Sequence, residues 1–185
     1  MYMNQGTRRE GAGLEEVPEW EELKCRRPVQ IGDIVVEAFP VSHDASEPVG
    51  FRISCDGKIG SVVTDLGEIT PWVKSKLEDC DWLVLESNHD ENLLKIGPYP
   101  WRLKQRVLGR LGHLSNRSVA EFIRDDFDGS AAHIFLAHLS RQNNNPEIAL
   151  KSASRALQDR PRRGLFESCQ VHLTFQSRPS NVIHL

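Results

Sequence analysis

The 185-residue sequence predicts an α/β fold, layered in the α+β manner, in which strands and helices alternate along the chain. Short β-branched and apolar runs of strand length recur, and Gly, Pro, Asp or Asn separate them. Two helix starts are marked by a capping side chain followed directly by proline, at Thr70-Pro71 and Asn145-Pro146. The composition, 39% hydrophobic and 26% charged, is that of a globular domain with its own core.

The first half of the chain predicts a strand, a hairpin and a helix. Residues 34–39 are β-branched and apolar, as in a strand. Residues 50–54 and 59–64 form the arms of a hairpin, because Asp56-Gly57 is a strong turn signal between them. The helix opened by Thr70-Pro71 extends to about Leu77. Residues 1–28 are polar and glycine-rich, and we expect them to be disordered.

The second half predicts three strands and three helices. The strands are short apolar or alternating runs, at residues 82–85, 134–137 and 171–175. The helices follow periodic apolar positions or capping residues, at residues 101–111, 115–123 and 145–157. These elements place the folded domain at 29–176, with a frayed tail at 177–185.

Composition excludes several classes of protein. The net charge of -3 does not suit a general polyanion binder. No apolar run approaches 18 residues, and the N-terminus has no apolar core of a signal peptide. The four cysteines are widely spaced without a CxxC pair, which argues against a disulfide scaffold or a zinc ribbon. We therefore expect a cytoplasmic protein with reduced thiols.

Five polar clusters follow predicted strands or precede predicted helices, where sites of α/β folds gather. They are Ser42-His43-Asp44, Thr64-Asp65-Leu66-Gly67, Glu86-Ser87-Asn88-His89-Asp90, Gly112-His113-Leu114-Ser115-Asn116 and Ala137-His138-Leu139-Ser140. Histidine and aspartate are natural ligands of zinc or manganese, and a bound metal of this kind activates water at neutral pH. Taken singly, such residues more often cap turns or fill structural positions. We assign His133 and His172 to structural positions and His184 to the tail.

A basic stripe is predicted on the helix that starts at Trp101. It comprises Arg102, Arg106 and Arg110, with Lys104 beside it, and no acidic residue occurs between Trp101 and Arg117. One interpretation is a solvated helix face, and the other is a surface that guides a polyanion toward a site.

Four segments together resemble a known family. They are PVSHDASEPVGF (40–51), VVTDLG (62–67), LESNHDENLLKIGPYPWRLKQRVLGRLGHLSN (85–116) and LAHLSRQNN (136–144). These segments resemble metallo-β-lactamase-fold hydrolases, and within them the YycJ/WalJ-like branch, with ribonuclease Z and PhnP-type phosphodiesterases as more distant relatives. The resemblance covers about residues 29–175 and implies the second half of an αββα sandwich.

The resemblance also implies a dinuclear site with two divalent metal ions, zinc or manganese, and assigns residues to it. Asp65 resembles the bridging metal carboxylate, and His138 resembles the late histidine ligand. His89 and His113 are the candidate general acids. The predicted substrate-binding residues are His43, Ser115, Asn116 and Arg106.

One part of the family pattern is absent, because the chain contains no HxHxDH and no two of its seven histidines have H-x-H spacing. Two ligands do not make a stable zinc site, which takes three or four. We favour a truncated or misassigned gene, and a separate chain carrying the N-terminal half or a metal-free remnant are the alternatives. Under each of these three explanations, the isolated chain is expected to be inactive.

The leading functional hypothesis is a metal-dependent hydrolase of phosphodiester bonds, a nuclease with DNA favoured, in the complete protein. A non-catalytic module that binds a partner is the first alternative. A small-molecule hydrolase, such as a thioesterase or lactonase, is the second. The expected partners are a nucleic acid or other phosphodiester substrate, the missing N-terminal half and a second copy of the chain.

Overall fold

The computed structural model describes residues 1–161, 169–180 and 182–184. Seven strands form one sheet in chain order, and two further strands pair with each other near the N-terminus. The strands are β1 (Tyr2–Met3), β2 (Glu21–Glu22), β3 (Val29–Ile31), β4 (Ile34–Pro40), β5 (Val49–Cys55), β6 (Lys58–Val63), β7 (Trp82–Glu86), β8 (His133–Ala137) and β9 (Gln170–Leu173). Strands β3 to β6 pair antiparallel, and β6 to β9 pair parallel.

The turn between β5 and β6 confirms the predicted hairpin. Cys55 pairs with Lys58, so Asp56 and Gly57 alone form the loop. Both have positive φ, 49° and 75°, as a two-residue loop that matches the strand twist requires.

Within the described part of the chain, six α-helices connect the strands. They are α1 (Gln5–Glu10), α2 (Pro71–Leu77), α3 (Glu91–Ile96), α4 (Trp101–Leu108), α5 (Asn116–Glu121) and α6 (Pro146–Asp159), and α5 continues into a π-turn over Phe122–Asp126. The predicted caps are present, because the side chains of Thr70, Ser115 and Asn145 each accept a bond from a first-turn backbone N–H. None of the described helices is long and apolar enough to cross a bilayer.

The core lies between the sheet and helices α2, α5 and α6. Alternate strand residues point into it, so Leu83 and Leu85 of β7 are almost wholly buried with Ile134 and Leu136 of β8. The helices contribute small and branched side chains, namely Val73, Leu77, Val119, Ala149, Ala153 and Ala156. Because β6 to β9 pair parallel, the carboxyl ends of these strands lie at one edge of the sheet.

The opposite face of the sheet carries a continuous row of side chains. Strand pairing aligns Ala38, Phe51, Val62, Val84, Phe135 and His172 across six strands. Most of this row is only half-buried, although Ala38 and Phe135 are buried. The ring of His172 stacks on Phe135, and its Nε2 lies 3.0 Å from Nδ1 of His133, in keeping with structural positions for both histidines. An αββα sandwich places its second sheet against such a face.

The structure differs from the sequence prediction at the N-terminus. Residues 1–28 form β1, α1, a 3₁₀ turn and β2 rather than a disordered segment. Asn4 Nδ2 donates to the carbonyl of Glu47 at 2.7 Å, and the Gly6 N–H donates to the Glu47 carboxylate at 2.9 Å. These contacts span more than forty residues of sequence, and a local pattern could not reveal them.

Smaller differences concern element boundaries. Helix α3 was not predicted from the sequence. The helix begins directly after the polar cluster at residues 86–90, and Asp90 of that cluster caps its first turn. Helix α4 ends at Leu108 rather than Leu111. The chain that follows passes so close to the end of the helix that a Cβ at Gly112 would lie 2.2 Å from the Arg106 carbonyl oxygen. In the tail, the described residues of 177–185 form no helix or strand, and positions 181 and 185 lie outside the described residues.

Candidate metal centre

Four ionisable side chains meet at the carboxyl edge of the parallel strands. Asp65 follows β6, Glu86 ends β7, His138 follows β8, and His113 precedes α5. One ligand atom from each lies within 4.8 Å of all the others. The structure therefore brings together Asp65 and His138, the two predicted metal ligands, with one of the two predicted general acids.

The backbone is unusual at two of these positions. Asp65 has φ 57° and His138 has φ 56°, so both occupy the left-handed region that side chains other than glycine avoid. Each turns the chain sharply at the end of its strand. Such conformations persist where the surrounding structure requires them, and they cluster at functional sites.

Glu86 is the centre of the group, and its side chain is fully buried. Its Oε1 accepts from Nδ1 of His113 at 2.8 Å and from Nδ1 of His138 at 2.7 Å. Its Oε2 accepts from the Leu66 N–H at 3.0 Å. Burial alone would raise the pKa of Glu86, but these hydrogen bonds outweigh burial and lower it. The carboxylate is therefore held ionised inside the protein.

Sequence reasoning missed this role of Glu86. The available signal was a glutamate at the last position of an apolar strand, on the same face of the sheet as Val84. A carboxylate there is costly to bury unless it is paired, so its position alone indicated partners.

Because Glu86 accepts from both Nδ1 atoms, it determines the tautomer of both rings. Nδ1 carries the proton, which leaves Nε2 of each ring available as an acceptor or ligand. The hydrogen bond to Glu86 raises the pKa of His138 against the lowering effect of burial, and the charge of Asp65 adds to the increase. A carboxylate that orients ligating histidines in this way is common around zinc.

Asp65 extends this group toward the surface. Its Oδ1 lies 3.6 Å from His138 Nδ1, 3.8 Å from His113 Nδ1 and 3.8 Å from His43 Nε2. The Asp65 side chain is 46% exposed, so it can contact a bound group from outside. His43 is fixed by a hydrogen bond between its Nδ1 and the Gly112 carbonyl, at 2.9 Å. This predicted substrate-binding residue therefore borders the metal centre.

The donor set fits a divalent metal ion of the zinc or manganese class. Asp65 offers a carboxylate, His138 offers an imidazole, and Glu86 supplies the outer carboxylate that orients the rings of His138 and His113. A complete zinc site has three or four protein ligands. Asp65 and His138 alone therefore supply fewer ligands than such a site requires.

His89 does not belong to the group. Its side chain is 1% exposed, and neither ring nitrogen has a hydrogen-bond partner among the described residues. Burial lowers the pKa of His89, which favours the neutral ring. A side chain enclosed in this way does not reach a substrate, so the structure does not support His89 as a general acid.

Ser115 and Asn116 are also enclosed by the protein. Ser115 Oγ accepts from the Ser118 N–H and caps α5, as predicted. Asn116 is 4% exposed and accepts from Ser87 Oγ at 2.7 Å, and it donates to Asn144 Oδ1 at 2.8 Å. Both residues therefore tie together the loops that carry the metal centre, and a substrate would not contact Asn116 in this conformation.

Two of the three arginines of the basic stripe have carboxylate partners. Arg106 forms a bidentate ion pair with Asp44, and Arg110 forms one with Glu68 at 2.9 and 3.0 Å. The Arg106 hydrogen bond lowers the pKa of Asp44. The Arg106 pair attaches α4 to the loop after β4, and the Arg110 pair attaches the turn that follows α4 to the loop after β6. Arg106 thus has a structural partner, which weakens its predicted role in substrate binding.

Relatives with known names share much of this sequence, although no protein-family model matches it. The exodeoxyribonuclease YycJ of Bacillus anthracis is 36% identical over 151 residues, which cover 82% of this chain and 57% of that protein. The exodeoxyribonuclease WalJ of Streptococcus pneumoniae is 42% identical over 118 residues, covering 64% of this chain and 44% of that protein. The chain thus spans about half the length of the curated relatives it matches.

Solved structures share the fold. The metallo-β-lactamase-fold protein YhfI of Bacillus subtilis superposes with a TM-score of 0.58 and 13% identity, covering 84% of this chain and 52% of that one. Zinc-bound PqqB of Methylobacterium extorquens superposes with a TM-score of 0.55 and 15% identity, covering 76% of this chain and 47% of that one. At such identities the likeness concerns the fold alone.

Proposed function

Since the chain has a metallo-β-lactamase fold and is homologous to the YycJ and WalJ exodeoxyribonucleases, we propose that it is part of a metal-dependent phosphodiesterase acting on DNA. The observation that carries the proposal is the convergence of Asp65, Glu86, His113 and His138 within 4.8 Å. This set combines metal-binding side chains with a buried carboxylate that orients them.

In the proposed site, Asp65 and His138 hold a divalent ion, zinc or manganese. A second ion and the remaining ligands require an HxHxDH segment, which is absent from this sequence. We propose that this segment belongs to another part of the same polypeptide or to a second chain, whose sheet covers the half-buried face of β4 to β9. When bound, such ions activate water and stabilise the charge that develops on the phosphate.

His113 is the proposed general acid. Its side chain is 19% exposed, so its ring reaches solvent, whereas its Nδ1 is bound to Glu86. Glu86 keeps the ring oriented through Nδ1, and Nε2, when it carries a proton, can deliver that proton to the leaving oxygen. His43 lies against His113, with ring centroids 5.0 Å apart, and restricts where a substrate can enter.

Metal binding by the purified chain tests this proposal. We expect zinc or manganese to bind weakly, since the ligand set is incomplete, and Asp65→Asn or His138→Ala to weaken binding about tenfold or more. Calorimetric titration measures the affinities. Asp159→Asn, an exposed carboxylate at the end of α6, is the matched control and should bind metal like the parent chain.

Hydrolysis of DNA provides a second test of the proposed function. The chain supplied with a segment that carries HxHxDH should hydrolyse single-stranded DNA ends, and Asp65→Ala should remove that activity without unfolding. Turnover by the isolated chain that Asp65→Ala abolishes would show that the incomplete-site hypothesis is wrong. Metal affinity unaffected by both Asp65 and His138 substitutions would refute the metal centre itself.

The half-buried sheet face favours one other function, a non-catalytic module that binds a partner through that face. This alternative predicts that Asp65→Asn and His138→Ala leave partner binding through that face unchanged. Metal content measured after expression in zinc-supplemented medium separates the two, because a module of that kind retains no ion at Asp65.

A further inference from the structure

We propose that a cavity beside His138 is a subsite for the nucleoside that adjoins the phosphodiester bond to be cut. The cavity has a volume of about 580 Å³. It is lined by Thr64, His138, Leu139, Ser140, Arg141, Asn144, Pro146, Thr174, Phe175, Gln176 and Ser177. The assignment rests on the proposed function, because it takes DNA as the ligand.

The position of the cavity connects it to the metal centre. Thr64 immediately precedes Asp65, and His138 lines the cavity while its Nδ1 is bound to Glu86. The other walls come from the loop after β8 and from the residues after β9. A ligand in this cavity therefore contacts a residue of the metal centre directly, as a nucleoside joined to the reacting phosphate would.

Phe175 supplies an aromatic surface for a base. Its side chain is 37% exposed although it is a large apolar residue. The guanidinium of Arg178 lies 3.9 Å from the ring centroid, but Arg178 lines the neighbouring cavity and not this one. The ring thus remains accessible from the cavity beside His138. Stacking on an aromatic ring tolerates any base, because every base presents a π face.

Arg141 supplies a positive charge for the phosphate. It is exposed, and among residues 1–161, 169–180 and 182–184 no carboxylate lies within ion-pair distance of it, in contrast to the paired Arg106 and Arg110. Pro146, the first residue of the 14-residue helix α6, lines the same cavity. The positive end of that helix adds to the attraction for an anion.

The size of the cavity suits a ligand no larger than a single nucleotide. Pockets for small molecules measure about 300–1,000 Å³, and this one lies in the middle of that range. One nucleotide fits such a volume and a base-paired duplex does not. The subsite therefore favours the end of a single strand.

Titration of the purified chain with deoxyadenosine 5′-monophosphate tests the inference. The titration is followed by ¹H–¹⁵N NMR with EDTA present, so that no metal contributes. We expect amide shifts for residues 139–141 and 174–177, and none at the remote turn of Asp56 and Gly57. Deoxyadenosine and inorganic phosphate, each added alone, should bind more weakly than the nucleotide, because each lacks one of the two contacts.

Two substitutions separate the contacts. Phe175→Leu keeps an apolar side chain but removes the ring, and Arg141→Gln removes the charge. Each should weaken nucleotide binding about fivefold or more. Arg117→Gln is the matched control, since Arg117 is exposed and pairs with Glu121 on α5, and it should bind like the parent chain. The spectra also report whether each variant remains folded.

The outcomes distinguish this inference from the metal-centre proposal. Shifts confined to other surfaces, or unchanged affinity in folded Phe175→Leu and Arg141→Gln chains, would overturn the subsite and leave the metal centre standing. Loss of zinc binding by Asp65→Asn together with unchanged nucleotide binding supports both. If the parent chain binds the nucleotide but takes up no metal in the calorimetric titration, the subsite stands and the metal centre is refuted.

Discussion

Glu86 determines the chemistry of this edge more than any other side chain. A buried carboxylate without partners is strongly disfavoured, and here two imidazoles and a backbone N–H compensate for the lost hydration. The same bonds select the Nδ1 proton of His113 and His138. Glu86 thus contributes both to protein stability and to the geometry of the candidate metal centre, because the orientation of both rings depends on this one carboxylate.

The pKa shifts of Glu86 and His138 predict how stability varies with pH in the metal-free chain. The pKa of Glu86 is lowered from 4.5, so its contribution is complete above pH 4.5 and is lost as pH falls through the folded pKa. The pKa of His138 is raised from 6.5, so its contribution is complete below pH 6.5 and is lost as pH rises through the folded pKa. Together they contribute most between pH 4.5 and 6.5.

Glu86→Gln should therefore lower the free energy of unfolding most within that window, by about 2 kcal/mol, since it removes the charged acceptor of His113 and His138, whose side chains are 19% and 38% exposed. Guanidinium denaturation between pH 3 and 9, with EDTA present, measures the effect. Glu121→Gln on the exposed face of α5 should change little, because a surface ion pair contributes about 0–1 kcal/mol. A loss of equal size at every pH would contradict the assigned coupling.

At the level of elements, the pairing of β6 with β7 positions Asp65 next to Glu86. Gly60 of β6 lies directly opposite Trp82 of β7. A Cβ at Gly60 would lie 1.9 Å from the Trp82 ring, so the indole occupies the space that a side chain would need. The contact sets the approach of the two central strands, and the loops that follow them carry the metal centre.

Gly60→Ala should therefore destabilise the chain by about 1–3 kcal/mol through overpacking. In a Trp82→Leu background the same substitution should cost much less, since the smaller side chain leaves room for the methyl group. A double-mutant cycle by chemical denaturation measures the difference. Equal costs in both backgrounds would mean that the Trp82 ring does not limit position 60.

At the level of the whole molecule, the two faces of the sheet are unequal. Helices α2, α5 and α6 cover one face and form the core, whereas the other face is mostly half-buried. The relatives are about twice as long as the segment they share with this chain. The second face is thus available for another sheet, from the same polypeptide, a second chain or a second copy.

Adjacent residues of β7 test this asymmetry. Leu85→Lys places a charge in the core, where the side chain is 1% exposed, and should unfold the chain. Val84→Lys points to the other face and should leave the chain folded while it prevents association with a partner sheet. Thermal unfolding followed by circular dichroism, with sedimentation velocity for association, provides the measurement. Unfolding by both variants would show that the two faces are equally buried.

Local signals in the sequence were enough to predict most strands and helices, the hairpin turn and the capping residues, because each depends on neighbours a few positions away. They also predicted that Asp65 and His138 lie at strand ends, and the resemblance assigned both to a metal. The partners of Glu86, Arg106 and Asn116 required the folded chain. The bonds from Glu86 to His113 and His138 cross 27 and 52 positions of sequence, and no short pattern specifies a contact over such separations. Packing of the strands and loops brings these groups together, so their roles follow from tertiary structure.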